Sequence, residues 1–222
     1  MAEDDDEVVV LGGVYSLFSM RARLALSVKG IPYQNREEDL SHKSPLLLQA
    51  NPIHKKVPVL IHNGKPVCES LIIVEYVDEA WRDRTPPLMP SHPYDRAQAR
   101  FWADVADKKL FPAGGKLWTT KGRELEANRK EFIRVLKLFE AELGEKPYFG
   151  GQSLGFLDVA LAVYCTWFQV FEVYGNFRIK DHCPKVAAWG NRCMDMDTVS
   201  KALPHPNDLY QFVSALRNTW FA

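Results

Sequence analysis

A hydroxyl beside an anion-stabilising backbone is the first chemistry the residues offer. Tyr15-Ser16-Leu17-Phe18-Ser19-Met20-Arg21 lies between a β-branched run and a helical one. Ser16 or Ser19 therefore falls at a helix N-terminus, where unpaired N–H groups stabilise negative charge. The same spacing also suits a plain helix cap. A second segment, Asn51-Pro52-Ile53-His54-Lys55-Lys56-Val57-Pro58-Val59-Leu60, sets a proline between a loop and a strand. Pro58 fits a cis turn that exposes the Val57 backbone to an extended partner, with Lys43 and Lys56 offering charge to a carboxylate. The alternative is an edge-strand proline among solvated lysines. The third segment is the strand-to-helix turn Cys68-Glu69-Ser70-Leu71. Ser70 is expected to cap the helix, and with Glu69 it offers an acceptor and a donor to an α-amino and an α-carboxylate group. Alone, it too is only a cap.

Metal chemistry has little support. Cys68, Cys165, Cys183 and Cys193 contain no CxxC pair, and Cys183, Cys193 and His182 match no common ligand spacing and lack a fourth donor. A disulfide framework does not suit so long and ordinary a chain. The cysteines read as small buried hydrophobes.

The elements that must position these groups follow from periodicity. Glu7 to Leu11 reads as a buried strand closed by Gly12-Gly13, and Phe18 to Val28 as a helix ended by Lys29-Gly30. Pro32 to Arg36 is a second strand. Val57 to Ile61 and Pro66 to Cys68 flank His62-Asn63-Gly64-Lys65, a hairpin signal, and Ser70 to Trp81 is a helix. The predicted order is β-α-β-α-β-β-α, with the first two strands parallel and the hairpin antiparallel. A polar, proline-rich linker over 83–93 separates this domain, 1–82, from an all-helical one, 94–222. Helices are expected over 94–119, 124–143, 157–174, 184–195 and 208–217, with no internal repeat. The run 157–171 is apolar on nearly every side and reads as the centre of a bundle.

Composition bounds the partners. With 46% hydrophobic and 25% charged residues the chain is an ordinary globular one, and 28 basic residues against 28 acidic ones leave no net field to recruit nucleic acid or an anionic membrane. The acidic start, MAEDDDEVVVLGG, reads as neither a signal nor a transit peptide, and no stretch is expected to reach the roughly 18 apolar residues of a spanning helix. Cytosol is the expected location.

In their order, these blocks resemble the glutathione-binding domain of the cytosolic glutathione transferases, and more closely the plant tau class. SMRARLAL, NPIHKKVPVL, ESLIIVEYVDEAW, RAQARFWADVADKKLFPAG, KLWTTKG and GFLDVAL carry the likeness over essentially the whole chain beyond its acidic start. The resemblance implies a thioredoxin-like domain joined to a helical bundle, working as a homodimer. It implies an enzyme that activates the thiol of glutathione and conjugates it to hydrophobic electrophiles such as xenobiotics and herbicides, with a peroxidase side activity. Glutathione is then a co-substrate, with no separate cofactor and no metal. The alternative is a ligandin carrying flavonoids, porphyrins or hormones; thiol transfer would need cysteine at Ser16.

By the same resemblance, Ser16 is the catalytic serine that hydrogen-bonds the sulfur, and Phe18 and Arg21 support its turn. Lys43 and Lys56 hold the glycine carboxylate, Val57 before Pro58 pairs with the cysteine residue, and Glu69 and Ser70 take the γ-glutamyl end. Val14, Tyr15, Phe111, Gly115, Trp118, Trp167, Phe212 and Leu216 correspond to the lining of an apolar electrophile site between the domains, though the aromatics equally suit bundle core. Gly155 and Asp158 form a structural helix cap. The class commonly has Ser-Pro-Phe followed by glycine where this chain has Ser16-Leu17-Phe18 and Ser19, which brings a second hydroxyl near the sulfur. At Gly115 the class often has a bulkier or basic residue, so a more open pocket is implied.

Overall fold

The computed structural model describes residues 7–221; residues 1–6, the acidic start behind the expectation of no leader, and residue 222 lie outside them. The chain forms two compact units, Met1–Leu88 and Met89–Ala222. In the first, β1 (Val8–Gly12), α1 (Leu17–Val28), β2 (Gln34–Glu37), α2 (Pro45–Ala50), β3 (Val59–His62), β4 (Lys65–Cys68) and α3 (Ser70–Ala80) follow the expected βαβαββα order. The sheet order is β2-β1-β3-β4. β1 is parallel to β2 because α1 returns the chain, whereas the β3–β4 hairpin is antiparallel throughout. Every residue of β1 is buried, as its β-branched run requires, and β2 is an exposed edge.

Local signals explain most boundaries. Gly30, at φ +65°, ends α1: Gly30 N–H donates to the Ser27 carbonyl (3.0 Å) and Ile31 N–H to the Leu26 carbonyl (2.9 Å), a Schellman closure. Asn63 and Gly64 both take positive φ, 50° and 75°, which the two-residue hairpin turn demands. β2 begins two residues later than Pro32, at Gln34 opposite Val9. Ser70 corrects the expected cap: it is the first residue of α3, and Glu69 stands at the cap without a side-chain cap bond.

Lys29, at the C-terminus of α1, is buried. Its Nζ lies 2.7 Å from Asp78 Oδ1 on α3 and donates to the Arg84 carbonyl at 2.8 Å, while Asp78 Oδ1 also accepts from Leu88 N–H. One ammonium thus ties α1, α3 and the chain leaving α3. Lys29→Met removes the counter-charge of a buried carboxylate and is expected to cost about 3 kcal/mol. Urea unfolding reads this as a lower midpoint at unchanged slope.

The second unit is helical: α4 (Pro93–Val105), α5 (Phe111–Thr119), α6 (Gly122–Leu143), α7 (Phe156–Ala162), α8 (Phe168–Gly175), α9 (Ile179–His182), α10 (Pro184–Met194), α11 (Asp197–Ser200) and α12 (Pro206–Trp220). The stretch expected as one helix over 94–119 carries a π turn at Ala106–Leu110. Pro112, which has no N–H and crowds the carbonyl four residues back, accounts for the widened turn. Likewise Val163–Trp167 tightens to a 3₁₀ segment within the expected 157–174 helix. Phe156–Gly175, 20 residues long with an 18-residue window of mean hydropathy 1.4, corrects the expectation that no stretch reaches spanning length. Its apolar window is 72% buried within the protein, as the core of a bundle requires. Asp158 is fully buried near its start and accepts from the N–H groups of Phe149, Gly150 and Gly155 and from Trp189 Nε1.

Candidate active site

Strand register assembles the candidate residues of the first unit. Leu11 pairs with Arg36 on one side and Val59 on the other, and Val59 pairs with Cys68. The segments beyond that row leave the sheet at the same end. They carry Glu37 at the end of β2 and Lys43 after it, Ser16 after β1, Val57 and Pro58 before β3, and Glu69 and Ser70 after β4. Four strands at about 4.8 Å spacing give this row a width of about 14 Å. Residues as far apart in sequence as Ser16 and Ser70 thereby come to the same end of the sheet.

Ser16 is the N-cap of α1: its Oγ accepts from Ser19 N–H at 3.2 Å. One lone pair serves the cap, and the hydroxyl proton remains available to donate outward. Ser16 N–H donates to the Gly13 carbonyl (3.2 Å), and Met20 N–H donates to the Ser16 carbonyl (2.9 Å), so the turn and the first helical bond both fix this residue. Ser16 is half-buried, whereas Ser19 is 0% exposed and its Oγ accepts from Gly13 N–H at 3.3 Å. The second hydroxyl therefore faces the interior. A Cβ on Gly12 would lie 3.0 Å from Ser19 Cβ and Oγ, so the glycine is what admits Ser19 there.

Arg21 is fully buried, donates to Ser70 Oγ at 3.3 Å and lies 5.4 Å from the Phe18 ring centre. It links the start of α1 to the start of α3. Lys43 is exposed just before α2, where Glu38 accepts from both the N–H (3.1 Å) and the Oγ (2.7 Å) of Ser44. Lys56 is exposed on a loop organised by Asn51, whose side chain donates to the Lys56 carbonyl (3.0 Å) and accepts from His54 N–H (3.1 Å). Val57 is half-buried and its bond to Pro58 is cis. Glu69 holds φ at 71°, a left-handed value that is uncommon for a residue with a side chain and that concentrates at ligand sites. Its carboxylate is more than half exposed, 3.9 Å from His54 Nε2. Asn51 and Glu38 brace their own loops over three to six residues, and Arg23 and Glu37 act on a segment that only the fold brings near; the sequence patterns marked none of the four.

The environment of each of the protein's own thiols favours the protonated form over the thiolate. Burial pushes Cys165 and Cys193 far up, Cys183 up to about 11, and Cys68 upward with help from the Glu69 charge. Among the described residues no cluster of His, Cys, Asp or Glu is arranged to hold a metal ion.

The electrophile candidates divide between the units. Val14 and Tyr15 are half-buried in the first. In the second, Trp118 packs 6.3 Å from Trp167 and stacks on Trp220 at 5.2 Å, and Trp167 stacks on Phe171 at 6.0 Å. Gly115 and Leu216 are half-buried, and Phe111 and Phe212 are 42% and 41% exposed. A Cβ on Gly115 would meet nothing within 4 Å. Arg217, absent from the sequence reading, joins α12 to α5 through the Trp118 carbonyl (2.9 Å) and lies over the Tyr174 and Phe221 rings.

Comparison with known proteins agrees with this architecture. Residues 7–79 match the model of the glutathione S-transferase N-terminal domain, and residues 122–191 that of the C-terminal domain. The chain is 56% identical to the probable glutathione S-transferase parC of Nicotiana tabacum, covering 96% of each chain. It is 54% identical to glutathione S-transferase U19 of Arabidopsis thaliana, again over 96% of each. Among solved structures, a rice glutathione S-transferase crystallised in complex with glutathione superposes with a TM-score of 0.94 at 43% identity, covering 98% of this chain and 99% of that one. A mango tau-class enzyme gives 0.89 at 40% identity over 95% and 98%. Sequence identity of this extent, together with the shared fold, places the chain in the glutathione S-transferase family, as a plant tau-class enzyme that conjugates glutathione.

Proposed function

We propose that Ser16 activates the glutathione thiol by donating its hydroxyl proton to the sulfur, next to the positive end of α1. The observation that carries this reading is the cap geometry. Ser16 Oγ accepts the Ser19 N–H, which orients the hydroxyl and polarises it as a donor. The row of loops supports the rest of the site. A tripeptide of about 10 Å fits along it, with Lys43 and Lys56 near its glycine carboxylate, the Val57 backbone along its cysteine, and Glu69 and Ser70 at its γ-glutamyl end. Phe18 and Arg21 steady the turn.

Calorimetry with glutathione, followed by turnover of a chlorodinitroaromatic, tests the whole reading; a purified protein with no affinity for glutathione would sink it. Glu69→Ala is expected to raise the KM for glutathione about tenfold while kcat changes less than about twofold, because it removes binding shared by ground and transition states.

In this proposal the first unit binds glutathione and the second supplies the apolar electrophile surface. Trp118, Trp167, Phe111, Phe212 and Leu216, with the open space beside Gly115, are the second unit's candidate contacts for the electrophile, and Val14 and Tyr15 are candidates in the first. Bulky apolar electrophiles are the expected substrates, and hydroperoxides a secondary one. The high identity to transferases favours turnover over a carrier role. The reading includes a cytosolic homodimer. Ile53, 84% exposed, and Ile72, 57% exposed, are apolar surface that a second copy would cover, and sedimentation velocity reads the mass.

A further inference from the structure

The two residues ahead of Tyr15 and Ser16 are fastened at every backbone polar group. Gly13 N–H donates to Ser19 Oγ (3.3 Å), and Val14 N–H donates to Glu37 Oε1 (3.1 Å). Both carbonyls are taken by one side chain: Arg23 donates through Nη1 to the Gly13 oxygen at 3.2 Å and through Nη2 to the Val14 oxygen at 2.8 Å. The Gly13 oxygen is also the acceptor for Ser16 N–H, at 3.2 Å. A single carbonyl therefore joins the guanidinium to the serine backbone.

Arg23 is 7% exposed. Burial lowers its pKa while the charges of Tyr33 and Glu37 oppose that fall. A buried guanidinium turned onto two loop carbonyls is an arrangement that holds a backbone in place. A catalytic donor must sit within a few tenths of an ångström of its working position, and a glycine-led turn does not hold that position by itself.

We propose that Arg23 is a positioning residue for the transfer reaction, setting the Ser16 hydroxyl against the glutathione sulfur through the Gly13 carbonyl, with Glu37 as its lesser counterpart on the Val14 N–H. The proposal rests on the assignment of Ser16 as sulfur donor. It predicts an effect on the ionisation of bound glutathione rather than on its capture.

The test uses the full-length enzyme saturated with glutathione, reading thiolate absorbance against pH beside steady-state kinetics. Arg23→Lys keeps the charge but offers no planar fork to bridge two carbonyls. It is expected to raise the pKa of the bound thiol by about one unit and lower kcat about tenfold, with KM for glutathione within about twofold. Glu37→Ala, at an exposed position, is expected to raise that pKa by about half a unit and lower kcat about threefold. A wild-type titration in Arg23→Lys, or a loss confined to KM, overturns the proposal, since a role as bare charge would survive in lysine. Should Arg23→Lys not fold, Glu37→Ala decides alone, and unchanged kcat and titration there overturn it. Ser16→Ala, measured alongside, separates the two ideas: if its thiol titrates as in wild type, the serine assignment itself fails.

Discussion

Ser16→Ala is expected to lower kcat/KM for glutathione conjugation about 10²-fold, in line with the loss of one preorganised donor to a developing or resident anion. A free thiol ionises near pH 8.5, and lowering that by about two units corresponds to about 2.7 kcal/mol in favour of the thiolate. Removing the hydroxyl returns much of this, so the pH midpoint of kcat/KM should move upward toward the free-thiol value. The sign follows from the thiolate being the reactive form: less stabilisation means more alkali is needed to populate it. The substitution also deletes the cap on α1, worth about 1 kcal/mol, which is too little to unfold the protein. Thermal unfolding separates that loss from the kinetic one. Ser19→Ala is the matched control. Its hydroxyl is fully buried and bound to Gly13 N–H, so a loss below about threefold is expected. Equal losses from the two variants would transfer the donor role to Ser19.

Asp158→Ala is expected to remove about 5 kcal/mol of stability, a large share of the 5–15 kcal/mol that folded proteins possess. The carboxylate is 0% exposed and gathers four donors: Phe149 N–H at 2.9 Å, Gly150 N–H at 2.7 Å, Gly155 N–H at 2.9 Å and Trp189 Nε1 at 2.8 Å. Burial pushes the carboxyl above its ordinary range, and the four N–H donors pull against that shift. Alanine leaves those donors without an acceptor, each at a cost of about 1–3 kcal/mol before relaxation. Asp158→Asn keeps the shape but turns an NH₂ toward N–H groups, and about 3 kcal/mol is the expected loss. Urea unfolding measures both, and turnover per folded molecule should be unaffected. An asparagine variant as stable as wild type would refute the hydrogen-bond account and leave shape alone as the requirement.

Local rules alone decided a good part of this protein. The β-branched run of β1, Gly30 after α1 and the Asn63-Gly64 turn are each dictated by backbone sterics within a few residues, and helical periodicity located the long helices of the second unit. The order of the blocks also disclosed the family. Tertiary structure decided what a hydroxyl or a cation does once placed. Ser16 and Ser19 are alike as letters, yet Gly12 lets one sink inward while the turn holds the other at the surface. Ser70 reads as a cap and instead receives Arg21 from 49 residues away. Arg23 and Glu37 carry no local signature, because their partners are backbone groups that only chain return brings near. The π turn before Pro112 and the short helices α9 and α11 escaped periodicity because four or five residues are too few to show a repeat.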